Sequence, residues 1–170
     1  AITAPPFDPS LRVNPPLRSA TDAAACLAAL ADGTADAIAT DHAPHTEVDK
    51  AVEFGLAANG ISGIETALGV VLAAVDAGRL TLATAIAALT TGPGRVLGDR
   101  ASGGVRGRLR GLTEGEPADL VVFDRSATWT VDAAALASRG KNSPLLGRDL
   151  PGRVLLTVAD GRIAYQAPEG

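Results

Sequence analysis

The sequence predicts an α/β fold over its first hundred residues and a β-rich piece after them. Residues 35–40 form a short apolar run without polar alternation, which is typical of a strand buried on both faces of a parallel sheet. An alanine-rich helical pattern precedes this run, and the hydrophobic period changes after Gly103. We therefore expect two units, residues 1–100 and residues 101–170.

The N-terminal segment is expected to be extended. Residues 1–11 show no hydrophobic periodicity, so they predict a connector. After a short strand at residues 12–13, Pro15 disfavours the helical conformation for Asn14, and prolines cannot donate to a sheet ladder. Asn14 is therefore predicted to stand at the end of a strand.

The first helix has clear start and stop signals. Ser19 is a good N-cap with Asp22 three residues later, and the alanine-rich pattern runs from Ala20 to Ala31. Gly33 suits the left-handed residue that follows a helix. This predicts a βα unit that leads into the apolar run.

A long loop and two further helices are expected next. The polar, irregular stretch between Thr46 and Gly60 predicts a loop after the strand, with room for a short helix. Ser62 and Glu65 are spaced as a capping box for the helix that follows. A second helix is expected from Thr81 to Thr90, before the breaker Gly92-Pro93.

The β-rich piece contains several strand patterns. Residues 120–123 and 129–131 each predict a strand, and residues 153–158 are expected to pair with residues 162–165. Asp160-Gly161 between the last two is a strong signal for a type I′ hairpin turn.

The composition argues against two broad classes of protein. The chain has 170 residues and a net charge of −4, and its basic residues are scattered, so no stripe that could follow a phosphate backbone forms. No apolar run approaches the ~20 residues that cross a bilayer. We therefore predict no nucleic-acid partner, no membrane association and a cytoplasmic location.

One carboxylate and the two histidines of the chain follow the apolar run. Asp41 comes directly after residues 35–40, His42 is next to it, and His45 follows four residues after Asp41. Because α/β folds carry their chemistry at the carboxyl ends of strands, this cluster is a candidate site. The alternative is a loop whose side chains cap the strand through local hydrogen bonds, and spacing alone leaves both open.

Four motifs together favour the candidate site over the capping loop. They are Asn14-Pro15-Pro16-Leu17-Arg18-Ser19, Ala39-Thr40-Asp41-His42-Ala43-Pro44-His45-Thr46, Gly60-Ile61-Ser62-Gly63-Ile64-Glu65-Thr66 and Gly140-Lys141-Asn142-Ser143-Pro144. In this order and spacing they resemble the C-terminal part of the bacterial type I dihydroorotases, of the zinc amidohydrolase superfamily. The resemblance runs from about Arg12 to Tyr165.

The resemblance implies a fold for each unit. Residues 1–100 would be the last two strands and helices of a TIM-like (β/α)₈ metal-dependent hydrolase barrel, and residues 101–170 the C-terminal half of a composite β-sandwich. A complete barrel takes about 250 residues, and this chain contains no methionine. We therefore expect a fragment that is inactive alone and whose first partner is the N-terminal remainder of the same protein.

The resemblance also implies a reaction and a set of site residues. The reaction is the reversible hydrolysis of (S)-dihydroorotate to N-carbamoyl-L-aspartate in de novo pyrimidine biosynthesis. Asp41 matches the aspartate that ligates zinc and shuttles the proton, while His45 and Asn14 match substrate-binding residues. The family's Phe-Gly pair, which contacts substrate through its backbone, falls on Asn59 and Gly60, so the usual aromatic residue is absent here.

Some expectations come with alternatives. One or two zinc ions are implied, with most ligands outside this chain, and His42 is expected to support or pack instead of ligating. The parent protein could instead be a non-catalytic scaffold subunit of aspartate carbamoyltransferase, or a hydantoinase or allantoinase. A homodimer or a complex with aspartate carbamoyltransferase is a possible assembly.

Overall fold

The computed structural model describes residues 7–98, 112, 114–115 and 117–168. The first six residues of the predicted connector and the predicted boundary at residues 100–101 lie outside this range. The elements are a 3₁₀ helix at Pro9–Leu11, helices α1 (Ala20–Asp32), α2 (Glu47–Lys50), α3 (Ala67–Asp76), α4 (Leu82–Leu89) and α5 (Thr91–Leu97), and strands β1 (Leu120–Thr130), β2 (Asp149–Ala159) and β3 (Arg162–Gln166).

Helix α1 begins and ends where its local signals predict. The Ser19 hydroxyl accepts from the Asp22 N–H at 3.2 Å, and the Asp22 carboxylate accepts from the Ser19 N–H at 3.0 Å. Gly33 follows the helix with φ of 83°. The capping box satisfies N–H groups that the first helical turn leaves without partners, so the predicted helix is confirmed.

Helix α3 begins later than expected, and the predicted capping box at Ser62 and Glu65 is wrong. Its N-cap is Thr66, which makes no side-chain capping hydrogen bond. The Glu65 carboxylate instead accepts from the N–H groups of Ala137, at 2.8 Å, and Ser138, at 3.0 Å. Glu65 therefore connects the start of α3 to a segment about seventy residues away.

Helices α4 and α5 are adjacent along the chain. Thr81 caps α4 through a hydrogen bond from the Thr84 N–H at 3.1 Å. Gly92 and Pro93 lie inside the first turn of α5 and do not stop helical structure, since the first turn needs no N–H from proline. At Gly92 a Cβ atom would lie 2.0 Å from the Asp36 carbonyl oxygen, so this turn packs directly against the apolar segment.

The two strands predicted before the site, at residues 12–13 and 35–40, are not formed in the structure. A strand requires a neighbour with which it exchanges backbone hydrogen bonds. In the described part of the chain, residues 35–40 instead meet the end of α4, where the Ile38 N–H donates to the Ala88 carbonyl at 2.9 Å.

The sheet is antiparallel, in the order β1-β2-β3. The two strands expected at residues 120–123 and 129–131 are one strand, β1, with a register shift between Asp124 and Thr128. The hairpin between β2 and β3 is confirmed: Asp160 and Gly161 both have positive φ, 51° and 74°, as a type I′ turn requires.

Helix α3 packs against β2 without room for larger side chains. A Cβ atom at Gly69 would lie 2.8 Å from the Leu150 Cβ, and one at Gly152 would lie 2.2 Å from Leu72 Cδ1. Leu72 is completely buried. The division into residues 1–100 and 101–170 remains a prediction, and this contact joins the two parts. Within the described residues, no helix is long and apolar enough to span a membrane.

Candidate active site

Asp41 follows the apolar segment with an unusual backbone. Its φ is 43°, in the left-handed region that few residues other than glycine, asparagine and aspartate adopt. The residue is exposed. The backbone therefore turns sharply at the predicted catalytic carboxylate and leaves it accessible.

His42 is held by the segment that precedes α3. It forms a parallel β-bridge with Ile61, and its Nδ1 accepts from the N–H groups of Gly63 and Ile64, both at 3.2 Å. Because Nδ1 accepts these two hydrogen bonds, that nitrogen is unavailable to a metal ion. The arrangement agrees with a supporting role for His42, which remains a prediction.

His45 is fixed at two points. Its N–H donates to Asn142 Oδ1 at 2.7 Å, and its Nε2 lies 3.0 Å from the Asn59 carbonyl oxygen. A carbonyl can only accept, so Nε2 carries the proton in this contact. The imidazole therefore lies beside the Asn59-Gly60 pair, which brings three of the predicted substrate contacts together.

Gly60 is a point of very close approach. Its φ is 144°, and a Cβ atom there would lie 2.6 Å from both the Cβ and the carbonyl oxygen of Ala43. Its N–H donates to the Arg12 carbonyl at 3.0 Å, and its carbonyl accepts from Asn142 Nδ2 at 2.9 Å and from Lys50 Nζ at 3.2 Å. A substrate contact to the Gly60 backbone would replace one of these bonds.

Asn14 is exposed and lies two residues after Arg12. The Arg12 carbonyl accepts from the Gly60 N–H and from Lys50 Nζ, at 3.0 and 3.1 Å. The Arg12 guanidinium donates to the carbonyls of Gly55, at 2.7 Å, and Ala57. These bonds attach the segment that carries Asn14 to the loop that carries Gly60.

Lys50 is a functional candidate that the sequence analysis missed. Its side chain is buried, and its Nζ donates to three carbonyls, those of Arg12, Ala58 and Gly60. Burial and the nearby Arg12 guanidinium lower the pKa of Lys50 below its usual 10.5, while Asp8 acts in the opposite direction. A lysine in a polar loop gives no sequence signal for this, since carbonyl partners are invisible in a sequence.

Asn142 is the second residue without a predicted role. It belongs to one of the four motifs, and its amide contacts both His45 and Gly60. The motif at residues 140–144 indicated that this segment matters, but it did not indicate that Asn142 contacts His45 and Gly60.

A cavity of about 800 Å³ lies beside these residues. His45, Lys50 and Asn142 are part of its lining, whereas Asp41 is not. The cavity thus reaches the predicted substrate-binding histidine but not the predicted catalytic carboxylate, and it does not by itself define a reaction site.

The described residues contain no complete metal site. In residues 7–98 and 117–168, no three His, Cys, Asp or Glu side chains lie close enough to hold an ion together. The exposed Asp41 carboxylate suits one ligand position, but zinc takes about four ligands. The other ligands of any such ion must come from elsewhere.

Comparisons with known proteins define the class of the chain. Residues 4–165 match the model of the amidohydrolase family. A dihydroorotase from Anaeromyxobacter dehalogenans (strain 2CP-1 / ATCC BAA-258) is 51% identical over 160 residues, covering 94% of this chain and 35% of the relative. A dihydroorotase from Geobacter sp. (strain M21) is 46% identical over 162 residues, covering 95% of this chain and 36% of the relative.

A solved structure gives the same answer for the fold. The L-hydantoinase (dihydropyrimidinase) from Arthrobacter aurescens matches with a TM-score of 0.80 at 28% identity, covering 96% of this chain and 36% of that one. The fold is that of about a third of a hydantoinase. The chain belongs to the amidohydrolase family, and it spans about a third of the length of the curated relatives it matches.

Proposed function

We propose that this chain is the part of a dihydroorotase that supplies the proton-transferring carboxylate and most of the substrate contacts described above. The reaction is the reversible hydrolysis of (S)-dihydroorotate to N-carbamoyl-L-aspartate in de novo pyrimidine biosynthesis. Relatives named dihydroorotase are about half identical to the chain along nearly all of its length. Those relatives are nearly three times longer, so the activity is proposed for the whole protein.

The observation that carries the proposal is the attachment of the Asp41 segment to the Gly60 loop. The segment is bridged at His42 to Ile61, and the His45 imidazole is bonded to the Asn59 carbonyl at 3.0 Å. Two motifs that are separate in the sequence therefore form one surface. The imidazole of His45 lies on that surface, and the Asp41 carboxylate, which can act as acid and base, comes one residue before the bridge.

Each residue has a distinct proposed role. Asp41 takes the proton of the attacking water and returns it to the leaving ring nitrogen, which a carboxylate at the reacting centre can do. The His45 imidazole offers an N–H to the substrate carboxylate or ring oxygen, for which Nε2 would exchange its bond to Asn59. The Asn14 amide can both donate to and accept from the ring, and the backbone of Asn59 and Gly60 completes the contacts.

The proposal includes zinc as one or two ions. When bound, zinc supplies hydroxide near neutral pH and polarises the amide carbonyl. Asp41 is proposed as one ligand, with the remaining ligands on parts of the protein beyond this chain. The proposal also includes the last part of a (β/α)₈ barrel, part of a small β-sandwich and a cytoplasmic location. Residues 12–13 and 35–40 would become strands only beside the rest of the barrel.

A substrate panel tests this function. The whole protein would be given dihydroorotate, hydantoin, dihydrouracil and allantoin, and ring opening would be followed by absorbance. We expect the highest kcat/KM with dihydroorotate, and loss of turnover when zinc is removed with a chelator. The matching hydantoinase fold favours hydantoin as the second candidate, and a preference for hydantoin would replace the proposed substrate.

The same preparation tests the scaffold alternative. A protein that opens no ring but co-sediments with aspartate carbamoyltransferase would be the non-catalytic subunit, and the enzymatic proposal would fail. The isolated chain of 170 residues is the matched control. It should show no turnover, because Asp41 alone cannot hold the metal.

A further inference from the structure

The side chain of Asn142 joins the two segments that carry the proposed substrate contacts. Its Oδ1 accepts from the His45 N–H at 2.7 Å, and its Nδ2 donates to the Gly60 carbonyl at 2.9 Å. Its own carbonyl accepts from the Ser62 N–H at 2.9 Å. One residue from far along the chain is thus bonded to both sides of the candidate site.

The contact needs the chemistry of an amide. Among the side chains, only asparagine and glutamine offer an acceptor oxygen and a donor nitrogen on the same planar group. An aspartate of the same shape would keep the acceptor for the His45 N–H but would place an oxygen against the Gly60 carbonyl. The two functions of Asn142 can therefore be separated by a single substitution.

The packing around Asn142 is tight. At the neighbouring Gly140, a Cβ atom would lie 2.6 Å from the Pro44 Cβ and 2.9 Å from the His45 nitrogen. Such distances are shorter than any normal contact. The 140–142 segment is therefore seated against the backbone of His45, and the amide has little freedom to move away.

The hydrogen bonds form a closed connection. From the His45 N–H it runs through the Asn142 amide to the Gly60 carbonyl, and it returns from Asn59 to His45 Nε2 at 3.0 Å. Lys50 Nζ supports the same Gly60 carbonyl at 3.2 Å. The position of the imidazole relative to the Asn59-Gly60 backbone consequently depends on Asn142, which belongs to neither the His45 segment nor the Gly60 loop.

We propose that Asn142 is a positioning residue for substrate binding, which sets the distance between the His45 imidazole and the Asn59-Gly60 backbone. This inference rests on the proposed function. It places the specificity of the site partly in the 140–142 segment. In this role Asn142 acts through its bonds to His45 and Gly60.

The test compares Asn142→Asp with the wild type in the whole protein. Kinetics with dihydroorotate, melting temperature and zinc content are measured together. Loss of one interior hydrogen bond should raise KM about tenfold, with kcat within about threefold, because the affected contacts bind substrate in the ground state. Ser143→Ala is the matched control: among the described residues its hydroxyl accepts from the Leu145 N–H at 3.3 Å and contacts neither His45 nor Gly60 through a hydrogen bond, so its KM should stay at the wild-type value.

Two outcomes would overturn the inference. An unchanged KM with a lower melting temperature would make Asn142 a purely structural residue. A fall in kcat with KM unchanged would place its effect on the transition state and not on binding. If Asn142→Asp does not fold, Asn142→Ala removes both bonds without opposing two oxygens, and the same rise in KM is expected.

A crystal structure of Asn142→Asp gives a readout that does not depend on activity. We expect the separation between His45 Nε2 and the Asn59 oxygen to grow beyond about 3.5 Å, the limit of a hydrogen bond. A distance still near 3.0 Å would refute the positioning role even if the enzyme is a dihydroorotase. Conversely, inactivity of the wild type toward every cyclic amide would reject the proposed function. The distance between His45 Nε2 and the Asn59 oxygen in Asn142→Asp would still decide the positioning role.

Discussion

His42 and Ile61 form a parallel β-bridge, with the Ala43 N–H donating to the Ile61 carbonyl at 3.0 Å. The ring of His42 extends the contact, since its Nδ1 accepts from the next two N–H groups, those of Gly63 and Ile64. Backbone and side chain thus attach the residue after Asp41 to the segment before α3. The two histidines of the chain make different contacts, since the His45 ring meets the Asn59 carbonyl in the Gly60 loop.

Replacement of His42 should lower stability more than it changes chemistry. His42→Ala leaves two N–H groups without their acceptor, which costs about 1–3 kcal/mol of the free energy of unfolding. Denaturant titration of the whole protein measures this loss. Loss of bound metal at unchanged stability would instead show that His42 is a ligand.

Asp41→Asn should remove nearly all turnover while the fold stays close to wild type. Asparagine adopts the left-handed backbone of φ 43° as readily as aspartate, so no strain is added. The amide cannot carry the proton, and acid-base help of this kind is worth about 10²- to 10⁴-fold in rate. Kinetics and thermal melting are measured together, with the exposed Asp36→Asn as the control. Activity within about tenfold of wild type would reject the role of Asp41.

His45→Ala should chiefly weaken substrate binding. The imidazole lies 3.0 Å from the Asn59 carbonyl and is proposed to face substrate, so KM should rise while the metal content is unchanged. Plasma emission spectroscopy counts the metal and steady-state kinetics give KM. Loss of one zinc per protomer would move His45 into the metal site.

Gly60→Ala should be far more damaging than the same change at Gly78. Both glycines have positive φ, 144° and 67°, but a Cβ atom meets Ala43 at 2.6 Å in the first and open space in the second. We expect more than about 3 kcal/mol of destabilisation at Gly60 and about 1 kcal/mol at Gly78. Equal melting temperatures for the two variants would contradict the close approach.

Lys50 should make stability depend on pH in the alkaline range. The pKa of Lys50 is lowered on folding, mainly by burial. Between the lowered pKa and 10.5, the lysine therefore keeps its proton more fully in the unfolded chain than in the folded chain. The contribution of Lys50 to the free energy of unfolding therefore increases with pH in that range. Lys50→Met cannot titrate, so the stability advantage of the wild type over this variant should grow with pH. A pH-independent difference would show that the lysine keeps its usual pKa.

Features that depend on a few consecutive residues could be predicted from the sequence. Ser19 and Asp22 cap α1 with their own neighbours, and Asp160-Gly161 turns the hairpin with φ values that those residues tolerate. The order of the motifs likewise led to the correct family. For the helix cap and the turn the information lies within a local stretch of chain, and for the family it lies in four local motifs and their order.

Features that depend on distant partners could not be predicted in this way. Glu65 has the spacing of a capping residue, but its carboxylate is used by N–H groups at Ala137 and Ser138. Residues 35–40 have the pattern of a buried strand, yet a pattern cannot supply the neighbouring strand. Lys50 and Asn142 were missed for the same reason, because their partners are backbone groups brought close by folding: three carbonyls for Lys50, and the His45 N–H and the Gly60 carbonyl for Asn142.

The bonds from Asn142 to the Gly60 loop and to the His45 segment have a consequence for recombining related proteins. A chimaera that exchanges only the loop around Asn59 and Gly60 would keep the original residues 140–144, whose contacts match the original loop. Grafts that carry residues 140–144 along with that loop should therefore retain function more often than grafts of the loop alone. The segments to be exchanged together are distant in sequence. Recombination aimed at new substrate preferences should therefore move both of them.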